Sequence, residues 1–452
     1  MSSDAAGRPS VTGEKTVTIE RLAFGGNGIG RINGKVCFVP FGCPGDELLV
    51  RVITEKRSYL TAGIVSVISP GPDRVTPPCP LFGSCGGCNW QHVSYSRQLT
   101  EKKLIFSDAL WRGGRVPGER IGDVLPSADS YGYRIRVQLK LHAASGRLAI
   151  GFYRQGTHFV EDAAQGCPIA LPVINRAIEK LRRLLPLFSE LTKIPQINID
   201  CGESGAVAIV NYIGGDIAGA AHFFESRTTE LEPLTGLYLQ TGRKSTLRKI
   251  FGDDTITYSL PGAAPDQPAC LLNYRPGGFA QVNRGQNSEI LRLVRLFADC
   301  RGNERILDLY CGNGNFSLPL AGSCSAVTGI EEYGDSIAAA IDNARQNGIN
   351  HAEFIRGDAA AGARRLVAEG RQFDCVLLDP PRSGAAELVG DICRLKPARI
   401  IYISCDPGTL GRDCGLFSAG GYQVRTSVPV DMFPQTFHLE SVTLLERGTG
   451  SL

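Results

Sequence analysis

Two segments of the sequence end an apolar run on residues able to do chemistry. FDCVLLDPPRSG (373–384) closes on Asp379-Pro380-Pro381-Arg382, and IIYISCDPGTLGRD (400–413) places Cys405 after an apolar stretch. Cys405 precedes a predicted helix start, a position that lowers a thiol pKa and favours the nucleophilic thiolate. The plain alternative, a cysteine buried as a small apolar side chain, is common in proteins. The SCDPG context favours the reactive reading. Glu440, in FHLESVTLLE, is the best-placed candidate for a proton-removing base, with His438 two residues away on the same predicted strand face.

A third segment offers room for a nucleotide-like ligand. LDLYCGNGNFSLPLA (307–321) sets a glycine-rich turn after a predicted strand and before a helix. Such a turn lets a ligand approach the backbone beside a helix N-terminus. The third glycine of a dinucleotide fingerprint is missing, so an adenosyl ligand without a pyrophosphate fits better. The next strand ends in GIEE, placing Glu331 at its tip, where a carboxylate can accept ribose hydroxyls. The third ends in GD, placing Asp358 near an adenine amine. Helix N-capping is the alternative role for both acids. The expected ligand is S-adenosylmethionine. A thiolate beside a methyl donor implies covalent activation of a weak carbon nucleophile. Carbon 5 of uracil is one: thiolate addition at carbon 6 creates an enolate that attacks the methyl sulfonium. A base then removes the carbon 5 proton and the thiol is eliminated. Methylation of an exocyclic amine, the competing chemistry for a DPP-type tip, needs no cysteine.

The chain has 452 residues and 15 cysteines. Its polar N-terminus has no apolar signal-peptide core, and no apolar run reaches the ~20 residues of a membrane span. A cytoplasmic protein with reduced thiols is expected. Ordered cysteines there point to metal or catalysis. Cys79, Cys85 and Cys88 stand in PPCPLFGSCGGCNWQH, and Cys167 in QGCPI is the fourth candidate ligand. Four thiolates suit zinc or a 4Fe-4S cluster, and the spacing leans towards iron and sulfur. Gly86 and Gly87 let the backbone bend and aim N–H groups at sulfur.

These residues need elements to position them. The composition, 43% hydrophobic and 21% charged, is that of an ordinary globular chain. Residues 1–15 read as a flexible leader. Short strands over 16–70, separated by glycine turns, predict an OB-like β-barrel, with Lys56, Arg57 and Tyr59 available for RNA. Residues 71–272 carry the cysteines, a helix over 98–114 and a central α+β domain with a basic surface that includes Arg134, Arg136, Arg154, Arg243 and Lys244. Residues 273–452 alternate strand and helix five times and end in a hairpin, predicting a multidomain α/β chain whose last domain is a Rossmann-like doubly wound sheet. The formal net charge is +3, with the basic excess in the N-terminal part, where a polyanion can dock.

Taken together, FAQVN (279–283), LDLYCGNGNF, DPPR, SCDPGTLGRD and HLESV resemble, in order, the motifs of the S-adenosylmethionine-dependent RNA uracil-5-methyltransferases. CPLFGSCGGCNWQH resembles the 4Fe-4S motif of the 23S ribosomal RNA branch, and GGNGIGR its TRAM domain. The resemblance spans about residues 15 to 447. It implies that Gln281, Tyr310, Asn315, Glu331, Asp358 and Asp379 line the donor site, and that Asp379 also supports the uracil. Cys405 is then the nucleophile and Glu440 the base, with Phe279 and Asn283 near the target uridine. It also implies that Cys79, Cys85, Cys88 and Cys167 hold a 4Fe-4S cluster. The implied partner is a single-stranded or loop segment of large-subunit ribosomal RNA, with no obligate protein partner. Transfer RNA is the alternative substrate, and a non-catalytic RNA-binding assembly factor the alternative class.

Overall fold

The computed structural model describes residues 13–144, 146–242, 246–262 and 268–448. The expected leader lies outside the described residues apart from 13–15, and the first strand begins at Glu14. Arg243 and Lys244 also lie outside them. The chain divides into two compact units: Met1–Ile105 with Phe433–His438, and Phe106–Met432 with Leu439–Leu452.

The first unit is built on a closed barrel of β1 (Glu14–Leu22), β2 (Gly28–Ile32), β3 (Lys35–Val39), β4 (Glu47–Glu55) and β5 (Tyr59–Ser69), in the order β1-β2-β3-β5-β4. Alternate residues point inward, as the two-residue period of a strand requires. Val17, Ile19, Cys37, Val39, Leu48, Val50 and Ala62 fill the interior. Gly30 sits inside β2, where a Cβ would stand 2.3 Å from the Thr18 carbonyl oxygen; glycine is what lets the two strands close. Buried Asp46 accepts from the N–H groups of Cys43 (2.7 Å) and Gly71 (2.9 Å) and from Arg74 (2.6 Å), tying the proline-rich connector to the barrel end. A satellite core of Leu22, Cys43, Trp90, Val93 and Ile105 includes Phe437. The helix α1 (Tyr95–Gly114) begins in this unit.

The second unit contains two seven-stranded sheets. The first is made of β6 (Arg136–Ala144), β7 (Arg147–Tyr153), β8 (Val160–Asp162), β9 (Gln196–Cys201), β10 (Ala206–Asn211), β11 (Leu234–Gln240) and β12 (Leu247–Phe251), in the order β12-β11-β10-β9-β6-β7-β8. Its one parallel pair, β10 with β11, is joined through α3 (Ile217–Glu225). The helix α2 (Pro172–Leu184) buries Ile174, Ala177, Ile178, Leu181 and Leu184, a helical stripe, in the core that also holds Ile197, Ile199, Val210 and Leu237.

A hairpin of β13 (Ile256–Leu260) and β14 (Cys270–Tyr274) and the helix α4 (Arg284–Ala298) lead to the second sheet. Here β15 (Arg305–Leu309), β16 (Ala326–Glu331), β17 (Ala352–Arg356), β18 (Cys375–Leu378) and β19 (Arg399–Ser404) run parallel. They alternate with α5 (Ser317–Ala321), α6 (Gly334–Gln346), α7 (Ala359–Ala368), α8 (Val389–Leu395) and α9 (Pro407–Ala419). The chain then forms β20 (Tyr422–Val430) and β21 (Glu440–Arg447). The order is β17-β16-β15-β18-β19-β21-β20, with β21 antiparallel to both neighbours. This is the expected doubly wound sheet with a terminal hairpin, and its last strand lies inside the sheet instead of on the edge. Near-continuous burial of β15, β18 and β19 follows from helices on both faces. Among the described residues, no helix is long and apolar enough to cross a membrane.

Candidate active site

The parallel strands deliver their C-terminal ends to one edge, where open α/β sheets bind ligands. After β15 the chain turns sharply: Tyr310 has φ +67°, and Gly312 and Gly314 also have positive φ. The N–H groups of Tyr310 and Cys311 both donate to the Ile330 carbonyl, at 2.9 and 3.1 Å. Glu331, the last residue of β16, accepts from Gly312 N–H (3.2 Å) and Tyr333 N–H (2.9 Å). Its carboxylate therefore fastens the glycine turn to the start of α6. It does not cap that helix, whose N-cap is Tyr333. Asp358 does act as a cap: it opens α7 and accepts from Ala361 N–H at 2.8 Å while remaining exposed.

Asn315 turns away from a free position. Its side chain pairs reciprocally with that of Asn287, both bonds at 2.9 Å, and its oxygen accepts from the Tyr258 hydroxyl at 3.0 Å. Asn343, fully buried in α6, donates to the carbonyls of Asn313 (3.0 Å) and Asn273 (3.1 Å). An amide network from four distant elements thus holds the turn from behind. Tyr258, Asn287 and Asn343 left no sequence signal, because folding alone brings them together. Asn283 is also committed: it caps α4 through Gln286 N–H (3.3 Å), and its amide reaches the Ser127 hydroxyl (3.1 Å). Gln281 is half-buried, and Phe279 is 66% exposed.

Asp379 follows β18 and Cys405 follows β19. The register of β19 with β21 sets Ser404 opposite Ser441, so the next residues along, Cys405 and Glu440, are neighbours across the ladder. Burial pushes the Cys405 thiol up to about 12, with Glu440 and Asp379 adding repulsion and Arg382 opposing it. This reverses the expected activation by the helix. The N-terminus of α9 is already capped by Asp406, which accepts from Gly408 and Thr409 N–H, both at 2.9 Å. Burial raises Glu440 well above the usual carboxylate range, Asp379 adding to the effect, and pushes Asp379 up to about 7, with Glu331 contributing. His438 does not share the strand face of Glu440. It precedes β21 in the segment Phe433–His438 and stacks on Phe437 at 4.1 Å between ring centres.

Two acids missed in the sequence support this edge. Asp413 in α9 is fully buried and accepts from Ala385 N–H and the Tyr402 hydroxyl, both at 2.7 Å. It thereby braces the loop after Asp379 against the helix after Cys405. At Gly384 (φ +77°) a Cβ would lie 2.5 Å from the Asp413 carboxylate, which requires glycine there. Asp308, a lone acid inside the apolar strand β15, was the one visible signal. Burial pushes it up to about 7, with Asp379 and Glu331 adding repulsion, and one of its oxygens finds no partner among the described residues. An acid whose folded pKa is raised stabilises the fold least at high pH, the stability being lost as pH rises from about 4 to 7. Asp308→Asn is therefore expected to raise Tm more at pH 8 than at pH 5. Equal shifts at both pH values would place the titration elsewhere.

Arg136 is not a surface cation. It pairs with buried Asp200 and lies over the Tyr274 ring at 5.9 Å. Arg154 pairs with Glu161 at 2.6 Å. Among the described residues, no three His, Cys, Asp or Glu side chains are grouped to hold a metal ion. Cys79, Cys85 and Cys88 belong to the first unit and Cys167 to the second. The Cys85 sulfur accepts from Gly87 N–H at 3.4 Å, while the Cys167 backbone is held by the Asn175 side chain at 2.8 and 3.1 Å.

The family model described as tRNA (uracil-5-)-methyltransferase matches residues 235–448, and that of the TRAM domain matches 11–65. An uncharacterized RNA methyltransferase of Thermosynechococcus vestitus is 34% identical over 94% of this chain and 96% of its own. The 23S rRNA (uracil(1939)-C(5))-methyltransferase RlmD of Alkalilimnicola ehrlichii is 34% identical over 95% of this chain and 96% of its own. The crystal structure of Pyrococcus abyssi tRNA (uracil-54, C5)-methyltransferase with S-adenosyl-L-homocysteine superposes with a TM-score of 0.72 at 25% identity, covering 95% of this chain and 100% of that one.

Proposed function

Because the chain belongs to the RNA (uracil-5-)-methyltransferase family, we propose that it methylates carbon 5 of a uridine in 23S ribosomal RNA with S-adenosylmethionine as donor. The observation that carries this reading is the register that sets Ser404 opposite Ser441, which puts Cys405 and Glu440 at one strand end where Glu440 and Asp379 both act on the thiol. S-adenosylmethionine supplies an electrophilic methyl group when bound. Gln281, Tyr310, Glu331 and Asp358 are the residues proposed to hold it, the glycine turn fixing its approach. Asn315 is assigned to the same site through the turn it braces.

The proposed reaction runs through this chain's own side chains. The Cys405 thiol gives its proton to solvent, and the resulting thiolate bonds to uracil carbon 6. The electron pair moves to carbon 5, which forms the new carbon–carbon bond to the methyl group as the donor's sulfur–methyl bond breaks. Glu440, in its carboxylate form, then takes the carbon 5 proton; the C–H electron pair forms the carbon 5–carbon 6 double bond, and the carbon 6–sulfur bond breaks with its pair leaving on Cys405 as the thiolate. Asp379 orients the uracil between them. Phe279 and Asn283 flank the target, Phe279 through its exposed ring and Asn283 through the helix it caps.

In this division of labour the barrel over 16–70 and the middle domain over 71–272 grip the RNA, and 273–452 carries the chemistry. A base inside a helix is out of reach, so the target is a loop or single-stranded segment. RNA carrying 5-fluorouridine is the test, because fluorine cannot leave as a proton does. A covalent RNA–protein complex is expected, and sequencing its attachment point identifies the uridine. Attachment to transfer RNA in preference to 23S RNA would replace the substrate, a reading favoured by the transfer RNA enzyme that shares the fold. No adduct on either RNA would end the covalent mechanism.

A 4Fe-4S cluster on Cys79, Cys85, Cys88 and Cys167 is a separate proposal, supported by the spacing and by the N–H donated to the Cys85 sulfur. Protein purified without oxygen is expected to carry iron and acid-labile sulfide in equal amounts, with broad visible absorbance that the Cys85→Ser variant loses. Metal-free protein, or zinc alone, would remove the cluster from the picture.

A further inference from the structure

Between β20 and β21 the chain passes through Phe433–His438, a segment that belongs by its contacts to the compact unit of Met1–Ile105. Its centre is Gln435. This residue has φ +69°, a region glycine favours, and it is 2% exposed. A non-glycine residue stays in that conformation only where its surroundings over-determine it. Here they do. Gln435 N–H donates to the Gln98 side-chain oxygen at 3.0 Å, and the Gln98 amide donates back to the Gln435 side-chain oxygen at 2.9 Å. The Gln435 carbonyl accepts from the N–H groups of Asn89 and Trp90, both at 3.0 Å. The Gln98 amide also faces the carbonyls of Trp90 (3.1 Å) and Val93 (2.9 Å). Two residues earlier, the Phe433 carbonyl accepts from the Lys102 ammonium at 3.1 Å. Gln98, Lys102 and Trp90 are fully buried.

A surface loop between two strands does not need this many buried partners. Glu440, the residue read above as the proton-removing base, opens β21 five residues after Gln435. We propose that Gln98 and Gln435 form a clamp that sets where β21 begins and so positions Glu440 over carbon 5 of the uridine. Both are positioning residues, since neither reaches the reacting atoms. The segment that supplies Asn89 and Trp90 follows Cys88 directly in the sequence.

The inference rests on the proposed role of Glu440 and affects one step. Misplacing a catalytic group by about an ångström costs on the order of 10²-fold. With Gln98→Ala and RNA of ordinary uridine, formation of the Cys405 adduct is expected to stay within about 3-fold of the parent protein. Its breakdown should slow by roughly 30- to 100-fold. A methylated covalent RNA–protein complex should then be visible by denaturing gel and by mass. A merely structural role would slow both steps together and weaken S-adenosylmethionine binding, and that pattern would overturn the clamp. So would adduct breakdown at the parent rate. If Gln98→Ala unfolds, Gln98→Glu keeps the oxygen that faces Gln435 N–H and should show a smaller delay in the same step. A parent protein that forms no adduct at all would instead refute the role of Glu440.

Discussion

Cys405→Ala is expected to lower 5-methyluridine formation by about 10⁴- to 10⁶-fold, the order seen when a covalent nucleophile is removed. It should also abolish the 5-fluorouridine adduct while leaving the binding of RNA and donor intact. The parent protein should show a matching pH dependence. Its thiol is pushed up to about 12 by burial, with Glu440 and Asp379 adding to the shift, so the thiolate is scarce near neutrality. Single-turnover adduct formation is therefore expected to rise steadily from pH 6 to 9 without a plateau. Asp379→Asn removes one of the repelling charges and should lower the pH at which iodoacetamide alkylates Cys405. Methyl transfer by Cys405→Ala at the parent rate would leave the strand geometry without its assigned chemistry.

Glu440→Gln is the second large effect. Loss of a positioned base typically costs about 10²- to 10⁴-fold, and here the loss should fall after the methyl group has moved. Ordinary uridine RNA would then behave as 5-fluorouridine RNA does in the parent, remaining attached to Cys405 as a methylated adduct. Glutamine keeps the side-chain volume at a position that is 6% exposed, so the fold should survive the change. Normal turnover by this variant would move the base to Asp379, the other raised carboxyl beside the thiol.

The sheet was legible because its strands are short apolar runs whose tips carry the unusual residues. Asp379, Cys405, Glu331 and Asp358 could be placed by counting strands, and their shared edge followed from the rule for open α/β sheets. Side-chain orientation was not legible. Asn315 and Asn283 look available in the sequence, yet each spends its amide on partners 28 or more residues away. Arg136 looked like a surface cation and proved to be half of a buried pair with Asp200, a residue with no visible link to it in sequence. The Cys405 thiol is raised chiefly by its burial, which the sequence does not show. The residue after it, Asp406, also takes the helix N–H groups that a sequence reading assigns to the thiolate. The sequence assigns no role to the hairpin β13–β14 or to helix α4, which carry Tyr258 and Asn287 to the glycine turn.

The position of β21 has a consequence for synthesis. β19, whose sequence RIIYIS is almost wholly buried, has β18 along one side and β21 along the other. Until residues 440–447 emerge from the ribosome, that second side is an open row of amides and carbonyls on an apolar strand, and β20 keeps only its isolated bridges to Ile121 and Leu125. Such an edge is a template for association with other chains. Nascent or truncated forms that stop short of β21 should therefore clump or recruit chaperones, and not accumulate as inactive but well-behaved protein.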